Sequence, residues 1–341
     1  MSEKMKAARI HKYGEELVLE EVPRPVPNDN QLLIAIIASG VCHTDLHVTA
    51  GDMPGNPKLP FIPGHEIVGK VASFGKDVNC FKEGDLVGVP SLHWACGECE
   101  YCSSGWETLC HKQLATGYSV DGGFAEYVVV PEDFAVSIPA NADPFKMAPI
   151  LCAGVTTYKG LKQTKAKKGD WVGIVGIGGL GHVAIQYAKE FGFKIAAVDI
   201  DQKKLNLAKK LGADVTINSK TEDIAKIADS KFGGAHAVLV TAASASAFRT
   251  SVDMLRRGGT CVLNGLPPGD FPLPICNVVL AGQTIHGSII GTRKDMDEAI
   301  DLAIKANIET EIEKQPLENI NKIFARLKSG DVVGRIVLEI R

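Results

Sequence analysis

Residue types that can bind zinc occur at short spacing in the first part of the chain. Cys42 is followed by His65 and Glu66, and zinc prefers thiolate and imidazole among protein ligands. Cys152, alone in an apolar stretch at 148–154, is the candidate third ligand. Three protein ligands leave the fourth tetrahedral position open, as a catalytic metal requires. Each residue by itself is typical of a packed core, but together they predict a catalytic zinc site.

A second group of cysteines has the spacing of a structural zinc site. It reads C-x2-C-x2-C-x7-C and comprises Cys96, Cys99, Cys102 and Cys110. Four thiolates close a tetrahedron around zinc and leave no open position. In the bacterial iron–sulfur motif, the alternative, the fourth cysteine follows about three residues on and precedes a proline. Here the gap is seven residues and His111 follows, so zinc is favoured.

The segment 171–199 predicts a dinucleotide site. An apolar strand leads directly into a G-x-G-x-x-G motif, and a helical pattern follows. The loop residues are Gly176, Ile177, Gly178, Gly179, Leu180 and Gly181. Such glycines let the backbone approach a pyrophosphate at a helix N-terminus. Asp199 ends the next strand, where its carboxylate accepts hydrogen bonds from the adenosine ribose. Its charge repels a 2′-phosphate, so NAD is predicted in preference to NADP.

The elements that must position these residues change in character near residue 155. Residues 6–38, 67–90 and 117–139 predict short β-strands, and Pro and Gly predict a loop at 51–64. Strands then alternate with helices, which implies parallel pairing. The later predicted strands are 171–175, 195–198, 214–217, 237–240, 260–264, 284–287 and 335–339. The predicted helices are 183–191, 201–211, 221–230, 245–257, 296–305 and 317–328.

Composition limits the classes of function. A chain of 341 residues suits two domains, and 45% hydrophobic with 23% charged residues is ordinary for a globular protein. A net charge of −3 without a basic run argues against nucleic acid as a partner. The early apolar stretch 32–38 is too short to span a membrane, and the first residues do not resemble a signal peptide. The cysteine pattern favours a reducing compartment, so we expect a cytoplasmic protein.

The combined motifs resemble the zinc-dependent medium-chain alcohol dehydrogenases, in particular their yeast and bacterial tetrameric branch. The resemblance covers the whole chain and is carried by Gly40–Asp45, Gly64–Gly69, the four-cysteine segment, Cys152, Gly176–Gly181 with Asp199, and Gly334–Arg335. It implies an α/β protein with a GroES-like, β-rich catalytic domain and a Rossmann coenzyme domain with a doubly wound parallel sheet. The implied bounds are 1–153 for the first part of the catalytic domain, with the structural zinc lobe at 91–113, then 154–289 for the Rossmann domain and 290–341 for the return segment.

The resemblance also implies roles around the first metal site. Cys42, His65 and Cys152 are expected to hold the catalytic zinc, with Glu66 as an occasional fourth ligand. Asp45 is expected to orient the ligating histidine.

Proton transfer and coenzyme binding are assigned in the same way. Thr44 is expected to bond the alcohol oxygen, and His47 to pass the proton to solvent. The implied coenzyme contacts, besides the glycine loop and Asp199, are His43 and Arg335 as cations facing the pyrophosphate, Lys204 on the adenosine ribose, and Leu266, Ser288 and Ile290.

The implied reaction is NAD-linked, reversible oxidation of primary alcohols, and of secondary or aromatic ones, by hydride transfer. Two zinc ions per chain are expected. The short interval from Cys110 to Gly117 resembles that of the tetrameric branch and implies a homotetramer. A polyol or other secondary-alcohol dehydrogenase of the family is the alternative. A zinc-containing binding module and a non-catalytic NAD-binding relative are less favoured, because the dinucleotide motif and the ligand set are complete.

The expected substrate pocket departs from that of ethanol-preferring relatives. Two positions where these relatives often carry tryptophan are Met53 and Ser91 in this chain. Trp94 and Leu266 are the other predicted wall residues. Smaller or more flexible side chains predict a roomier pocket that accepts longer or aromatic primary alcohols such as benzyl alcohol. The alternative is that His93 or Trp94 fills the vacated volume and the pocket stays small.

Overall fold

The structure, a computed structural model, describes residues 3–53, 55 and 57–341. Met1, Ser2 and two positions of the predicted loop, Pro54 and Asn56, lie outside the described residues. The chain forms two compact units: the first comprises Met1–Cys152, Thr292–Ile300 and Thr310–Arg341, and the second Ala153–Gly291 and Asp301–Glu309. Residues 301–309, which the sequence analysis placed in the return segment, therefore group with the second unit.

The elements of the described residues are numbered in chain order. The strands are β1 (Lys4–Arg9), β2 (Val18–Pro23), β3 (Gln31–Val41), β4 (Glu66–Phe74), β5 (Leu86–Val89), β6 (Leu92–Trp94), β7 (Leu114–Ala115), β8 (Tyr127–Pro131), β9 (Val136–Ser137), β10 (Trp171–Val175), β11 (Lys194–Asp199), β12 (Val215–Asn218), β13 (Ala235–Val240), β14 (Leu255–Leu263), β15 (Thr284–Gly287), β16 (Ile312–Pro316) and β17 (Arg335–Glu339). The α-helices are α1 (His43–Ala50), α2 (Glu100–Ser103), α3 (Pro144–Met147), α4 (Ala153–Gln163), α5 (Gly181–Glu190), α6 (Gln202–Leu211), α7 (Ile224–Phe232), α8 (Ala245–Asp253), α9 (Ile275–Ala281), α10 (Arg293–Lys305) and α11 (Ile320–Ser329).

The first unit is organised around β3. This strand pairs antiparallel with β4, β17 and β8, and the sheet runs in the order β16-β17-β3-β4-β5-β9. Most of β3 is buried, which accounts for its nearly continuous apolar sequence. Hydrophobic clusters pack on this sheet; one contains Leu32, Ile34 and Ile36 together with Ile67 of β4. The site residues that follow β3 and precede β4 are thus attached to the buried centre of this sheet.

The second unit contains the predicted parallel sheet. Its strand order among the described residues is β12-β11-β10-β13-β14-β15, and all neighbouring pairs are parallel. This is the doubly wound order, in which the chain reverses direction across the sheet between β10 and β13. The predicted end of α6 is also confirmed, because Gly212 adopts φ 111° and caps the helix. Ligands bind at the carboxyl ends of such strands, beside the point of reversal.

One predicted helix is wrong in length. The pattern predicted a helix through Arg257, but α8 ends at Asp253 and β14 begins two residues later. Leu255 pairs with Ala235, and a register shift separates this pair from the regular pairing that begins at Thr260. Pairing with β13 therefore outweighs the local helical preference of these residues. Eight elements of the described residues were not predicted at all: α1, α2, α3, α4, α9, β6, β7 and β16.

No membrane-spanning helix occurs in the part of the chain that the structure describes. None of its helices is both long enough and apolar enough to cross a bilayer.

Candidate functional site

The first unit brings the predicted catalytic-zinc ligands together. Ligand atoms of Cys42, His65, Glu66 and Cys152 all lie within 4.8 Å of one another. Cys42 directly follows β3 and His65 directly precedes β4, and these strands pair with Gly40 opposite Glu66. The antiparallel register therefore places the thiol and the imidazole side by side, although 22 residues separate them in sequence. Two thiols and an imidazole are a donor set typical of zinc.

Asp45 orients both the histidine and the cysteine. Its Oδ1 lies 3.0 Å from Nδ1 of His65, and its Oδ2 accepts the Cys42 backbone N–H at 2.8 Å. The Asp45 side chain is about 1% exposed, so neither contact competes with solvent. A carboxylate can only accept, so Nδ1 of His65 carries the proton and Nε2 presents its lone pair to a metal. This geometry supports the expected role of Asp45 as the residue that orients the ligating histidine.

The side chains of this site separate charge between a thiol and an imidazole. Hydrogen bonding to Cys152 lowers the pKa of Cys42 well below its usual value, against the effect of burial, and Arg335 and His65 lower it further. Burial alone would lower the pKa of His65, but the Asp45 carboxylate and Cys42 raise it to about 10. A thiolate beside an imidazolium is an arrangement in which a divalent cation can replace the histidine proton.

Glu66 contacts Arg335 inside the first unit. Their side chains are 0% and 4% exposed, and the carboxylate touches the guanidinium as an ion pair. Gly40 makes this contact possible, since a Cβ at that position would lie 2.0 Å from Oε2 of Glu66. Arg335 was expected to face the coenzyme pyrophosphate, and that role stays a prediction. In this structure the guanidinium neutralises a carboxylate of the metal cluster, which is a contact that the sequence did not indicate.

Helix α1, which the sequence did not predict, carries the expected proton-transfer residues. Thr44 and His47 are three residues apart and therefore lie on one face of the helix. The Cys42 thiol lies 3.7 Å from Oγ1 of Thr44. Nδ1 of His47 lies 3.4 Å from the exposed carboxylate of Asp52. The face of α1 thus leads from the metal cluster to a solvent-exposed acid. His43 is exposed at the start of the same helix.

The four predicted lobe cysteines form a second cluster. Their sulfurs lie within 4.8 Å of one another, with separations of 3.5 Å for Cys99–Cys102, 3.6 Å for Cys96–Cys110 and 3.9 Å for Cys96–Cys102. A tetrahedral zinc site with Zn–S bonds of about 2.3 Å has sulfur–sulfur edges of about 3.8 Å. Disulfide bonds require about 2.05 Å, so these sulfurs are unbonded. The geometry fits a closed metal site.

The lobe sulfurs are also electrostatically prepared for a cation. Backbone hydrogen bonds from residues 98 and 99 lower the pKa of Cys96 to about 6. Burial and the neighbouring thiols raise the pKa of Cys102 to about 12. Several thiolates cannot crowd into this volume without a positive charge between them. A divalent metal supplies that charge, and acidification should release it as the sulfurs become protonated.

In the second unit, three glycines of the loop after β10 are explained by what surrounds them. Gly176 has φ +95°, and a Cβ there would lie 2.7 Å from the Ala242 backbone. A Cβ at Gly181 would lie 2.0 Å from the Gly176 carbonyl oxygen. A Cβ at Gly178, by contrast, would meet nothing within 4 Å, so this backbone is open to a ligand. The loop leads into α5, whose N-terminus favours an anion. These properties fit a dinucleotide pyrophosphate.

Asp199 ends β11 beside this loop. Its Oδ2 accepts the Ile177 N–H at 2.6 Å and its Oδ1 accepts the Asp201 N–H at 3.0 Å. Each oxygen retains a second lone pair for a ribose hydroxyl. Lys204 is half-buried on α6, which begins immediately after Asp201.

The other predicted coenzyme residues lie at the ends of β14 and β15. Leu266 is 56% exposed, Ser288 is buried, and Ile290 has φ +43°, a conformation that β-branched residues rarely adopt. Asn264, the last residue of the predicted strand 260–264, donates from Nδ2 to the Ser288 carbonyl at 2.9 Å. The signal that could have revealed it is Gly160, an isolated glycine inside the helical segment α4.

The predicted substrate-wall residues in the first unit occupy two hydrophobic clusters. Met53 packs against the cluster that contains Leu46 and Val48 of α1. Trp94 packs against another cluster, which contains Cys110 and is also contacted by the other three lobe cysteines. Ser91 is half-buried, and its carbonyl accepts the Thr116 N–H at 2.9 Å.

His93, the residue of the small-pocket alternative, is 4% exposed within β6. Burial lowers its pKa to about 4, so this imidazole is neutral at physiological pH. Its Nδ1 lies 3.5 Å from the hydroxyl oxygen of Thr116, which itself donates to the Pro90 carbonyl at 2.8 Å.

Comparison with known proteins gives a consistent result. Residues 28–140 match the alcohol dehydrogenase GroES-like domain, and residues 179–305 match the zinc-binding dehydrogenase family. The chain is 54% identical over 335 residues to an alcohol dehydrogenase of Moraxella sp. (strain TAE123), covering 98% of this chain and 99% of that protein. It is 52% identical over 336 residues to one of Geobacillus stearothermophilus, covering 98% and 100%. The crystal structure of the alcohol dehydrogenase from the hyperthermophilic archaeon Aeropyrum pernix is similar with a TM-score of 0.91 at 31% identity, covering 98% of this chain and 100% of that one.

The role of Asp45 can be tested by removing its charge. Asp45→Asn should lower the zinc affinity of the Cys42 cluster by about 10- to 100-fold, as is typical when the partner of a ligating histidine is lost. Competition with a chelator would measure this affinity. Asp52→Asn, which removes an exposed carboxylate near α1, is the control and should leave it unchanged. Equal affinity in wild type and Asp45→Asn would contradict the assigned role.

Proposed function

This chain belongs to the zinc-dependent medium-chain alcohol dehydrogenases, and from that membership we propose that it oxidises primary alcohols reversibly with NAD as coenzyme. One observation supports this more than any other: two thiols, an imidazole and a carboxylate that can hold zinc lie within 4.8 Å of one another in the same chain as a glycine loop suited to a dinucleotide. We further propose that the first unit carries the metal and substrate chemistry and the second binds the coenzyme.

The catalytic zinc would be held by Cys42, His65 and Cys152. When bound, zinc supplies a Lewis acid that lowers the pKa of a nearby hydroxyl group. Asp45 keeps the histidine in the tautomer that leaves Nε2 available. Glu66 belongs to the same cluster and is neutralised by Arg335, which supports its role as an occasional additional ligand. A buried carboxylate without that partner would repel electron-rich ligands and substrates from the site.

Thr44 and His47 would carry the proton of the alcohol. The threonine hydroxyl is both donor and acceptor, so it can take a proton from the substrate oxygen while passing on its own. His47 lies one helical turn further along α1 and beside the exposed Asp52, which places it between the cluster and solvent. NAD, when bound, would supply the nicotinamide that accepts the hydride from the alcohol carbon.

Two zinc ions per chain are predicted, one in each cluster. Cys42→Ala should lose one zinc and nearly all turnover while the thermal unfolding temperature stays close to that of wild type. Cys99→Ala should also lose one zinc but should lower the unfolding temperature, because a closed site contributes to folding. Elemental analysis, turnover and thermal unfolding measure the three effects. Cys80→Ala, an exposed cysteine outside both clusters, is the control. Wild-type protein with one zinc or none would contradict the two-site assignment.

NAD is predicted over NADP because the Asp199 carboxylate, which bonds the glycine loop at Ile177, would lie near a 2′-phosphate on the adenosine ribose. Two like charges about 4 Å apart repel by roughly 1–4 kcal/mol at the effective dielectric constants of a protein surface. Asp199→Gly should therefore lower the ratio of kcat/KM with NAD to kcat/KM with NADP by about tenfold. Asp201→Asn removes a charge two residues away but keeps the helix cap, and it should leave the ratio unchanged. A wild-type enzyme that uses both coenzymes equally would show that Asp199 does not select NAD over NADP.

Longer alcohols are predicted to be better substrates than ethanol. Each methylene buried in an apolar pocket contributes about 0.8 kcal/mol, or roughly fourfold in kcat/KM, until the space is filled. Initial rates with NAD across ethanol to hexanol, benzyl alcohol, 2-propanol and a polyol would test this. Met53→Trp and Ser91→Trp should both restore a preference for short alcohols. A steady fall from ethanol to hexanol with no benzyl alcohol oxidation would show a small pocket, and fastest turnover of the polyol would favour the alternative function.

A homotetramer is proposed from the resemblance, and the second unit offers one surface that supports assembly. Helix α9 exposes Ile275, Val279 and Leu280, which are 76%, 69% and 74% accessible. Beside it in sequence, β15 is the edge strand of the parallel sheet. An apolar helix next to an open sheet edge is typical of a surface that a second copy covers.

Charges on this surface should therefore reduce the size of the assembly. The double variant Val279→Glu, Leu280→Glu should sediment as a smaller species than wild type at micromolar concentration, because two carboxylates would be buried at the interface. Val26→Glu, at an 82% exposed position in the first unit, is the control and should sediment like wild type. A wild type that is itself monomeric would overturn the proposal.

A further inference from the structure

Asn264 is a buried amide with a defined hydrogen bond at the end of β14. It is 8% exposed, and Nδ2 donates to the carbonyl of Ser288, which directly follows β15. Ser288 is 7% exposed. The amide therefore bridges the carboxyl ends of two neighbouring parallel strands. Oδ1 of Asn264 and the hydroxyl of Ser288 have no hydrogen-bond partner among the described residues. Buried polar atoms without partners are rare and call for an explanation.

Gly160 provides the room for this amide. It lies inside α4 with ordinary helical backbone, so no left-handed conformation requires glycine there. An interior glycine also weakens a helix relative to alanine. A Cβ at this position would lie 2.1 Å from Oδ1 of Asn264 and 3.1 Å from its Cγ. The next nearest neighbour, Cδ1 of Leu239 at 2.7 Å, is the end of a side chain that can rotate. The absence of a side chain at Gly160 therefore leaves the space that the Asn264 amide occupies.

The position of this pair in the sheet indicates which part of the coenzyme it would serve. A dinucleotide lies across the point where the strand order reverses, with one nucleoside on each half of the sheet. Asp199 places the adenosine on the half formed by β10, β11 and β12. The nicotinamide half therefore falls on β13, β14 and β15, whose ends carry Asn264 and Ser288. This step rests on the proposed function as an NAD-linked enzyme.

The backbone just after Ser288 is held in an unusual conformation. Ile290 has φ +43°, in the left-handed region that β-branched residues avoid. Strained backbone of this kind persists only where the surrounding structure determines it. The hydrogen bond from Asn264 to Ser288, two residues earlier, is one such determinant.

We propose that Asn264 is a positioning residue for the nicotinamide half of NAD. Its side-chain N–H fixes the direction of the Ser288 carbonyl, and Gly160 gives the side chain the space to do so. A carbonyl oxygen has two lone pairs, and one remains for a donor such as the carboxamide N–H of the coenzyme. Without the amide, the strand ends lose their bridge and the carbonyl loses its fixed direction.

A double-mutant cycle separates positioning from packing. Gly160→Ala, Asn264→Ala and the double variant would be compared by thermal unfolding without coenzyme and by NADH fluorescence titration. Gly160→Ala should lower the unfolding temperature and weaken NADH binding, because the new methyl group displaces the amide. Asn264→Ala should weaken NADH binding at least about fivefold. The double variant should recover the unfolding temperature, since the clash is gone, yet should keep the weakened NADH binding. Asn206→Ala, an exposed asparagine of α6, is the control.

ADP-ribose, which lacks the nicotinamide, identifies the affected half of the coenzyme. Asn264→Ala should bind ADP-ribose as tightly as wild type while it binds NADH more weakly. Equal weakening for both ligands, or a double variant that binds NADH like wild type, would show that Asn264 only fills space. A wild type that binds ADP-ribose and NADH poorly would instead refute the coenzyme assignment itself. Asn264→Ala creates no clash, so the test remains decisive even if Gly160→Ala does not fold.

Discussion

The pairing of β3 with β4, in the register that puts Gly40 opposite Glu66, is the constraint on which the metal site depends. This register places Cys42, just after one strand, beside His65, just before the other. A one-residue slip would turn every side chain of the strand to the opposite face and separate the ligands. Burial of both strands makes such a slip costly. The buried, apolar strands β3 and β4 therefore hold the metal-binding side chains in place.

Charge is balanced in the same place. The absence of a side chain at Gly40 lets Arg335, at the start of β17, meet Glu66 at the start of β4. Both groups are almost completely buried, and an unpaired charge in that position would be strongly destabilising. Asp45 balances the charge of His65 in a similar way. Each ionisable group of the cluster thus has a specific partner, so the site can stay buried in a stable protein.

Much of this could be predicted because the signals are local. Cysteine spacing limits the geometry of the lobe, and a glycine loop between a strand and a helix has few structural solutions. The parallel sheet of the second unit follows from alternating strands and helices, and its strand order is the expected one. The prediction was wrong where strand pairing overrides the local preference for a helix. Leu255 continues a helical sequence pattern, but it pairs with β13 and becomes part of the sheet.

The sequence by itself determined the kinds of ligand, the dinucleotide loop and the family, because these depend on residue types at short spacings. Only the tertiary structure decided which distant residues meet. It showed that Arg335 neutralises Glu66 and that Asn264 occupies the space left by Gly160, about a hundred residues earlier in the chain. Such contacts depend on strand register and helix packing, which are set by the burial of the whole core. No short stretch of sequence contains that information, so residues of this kind become visible only in the folded chain.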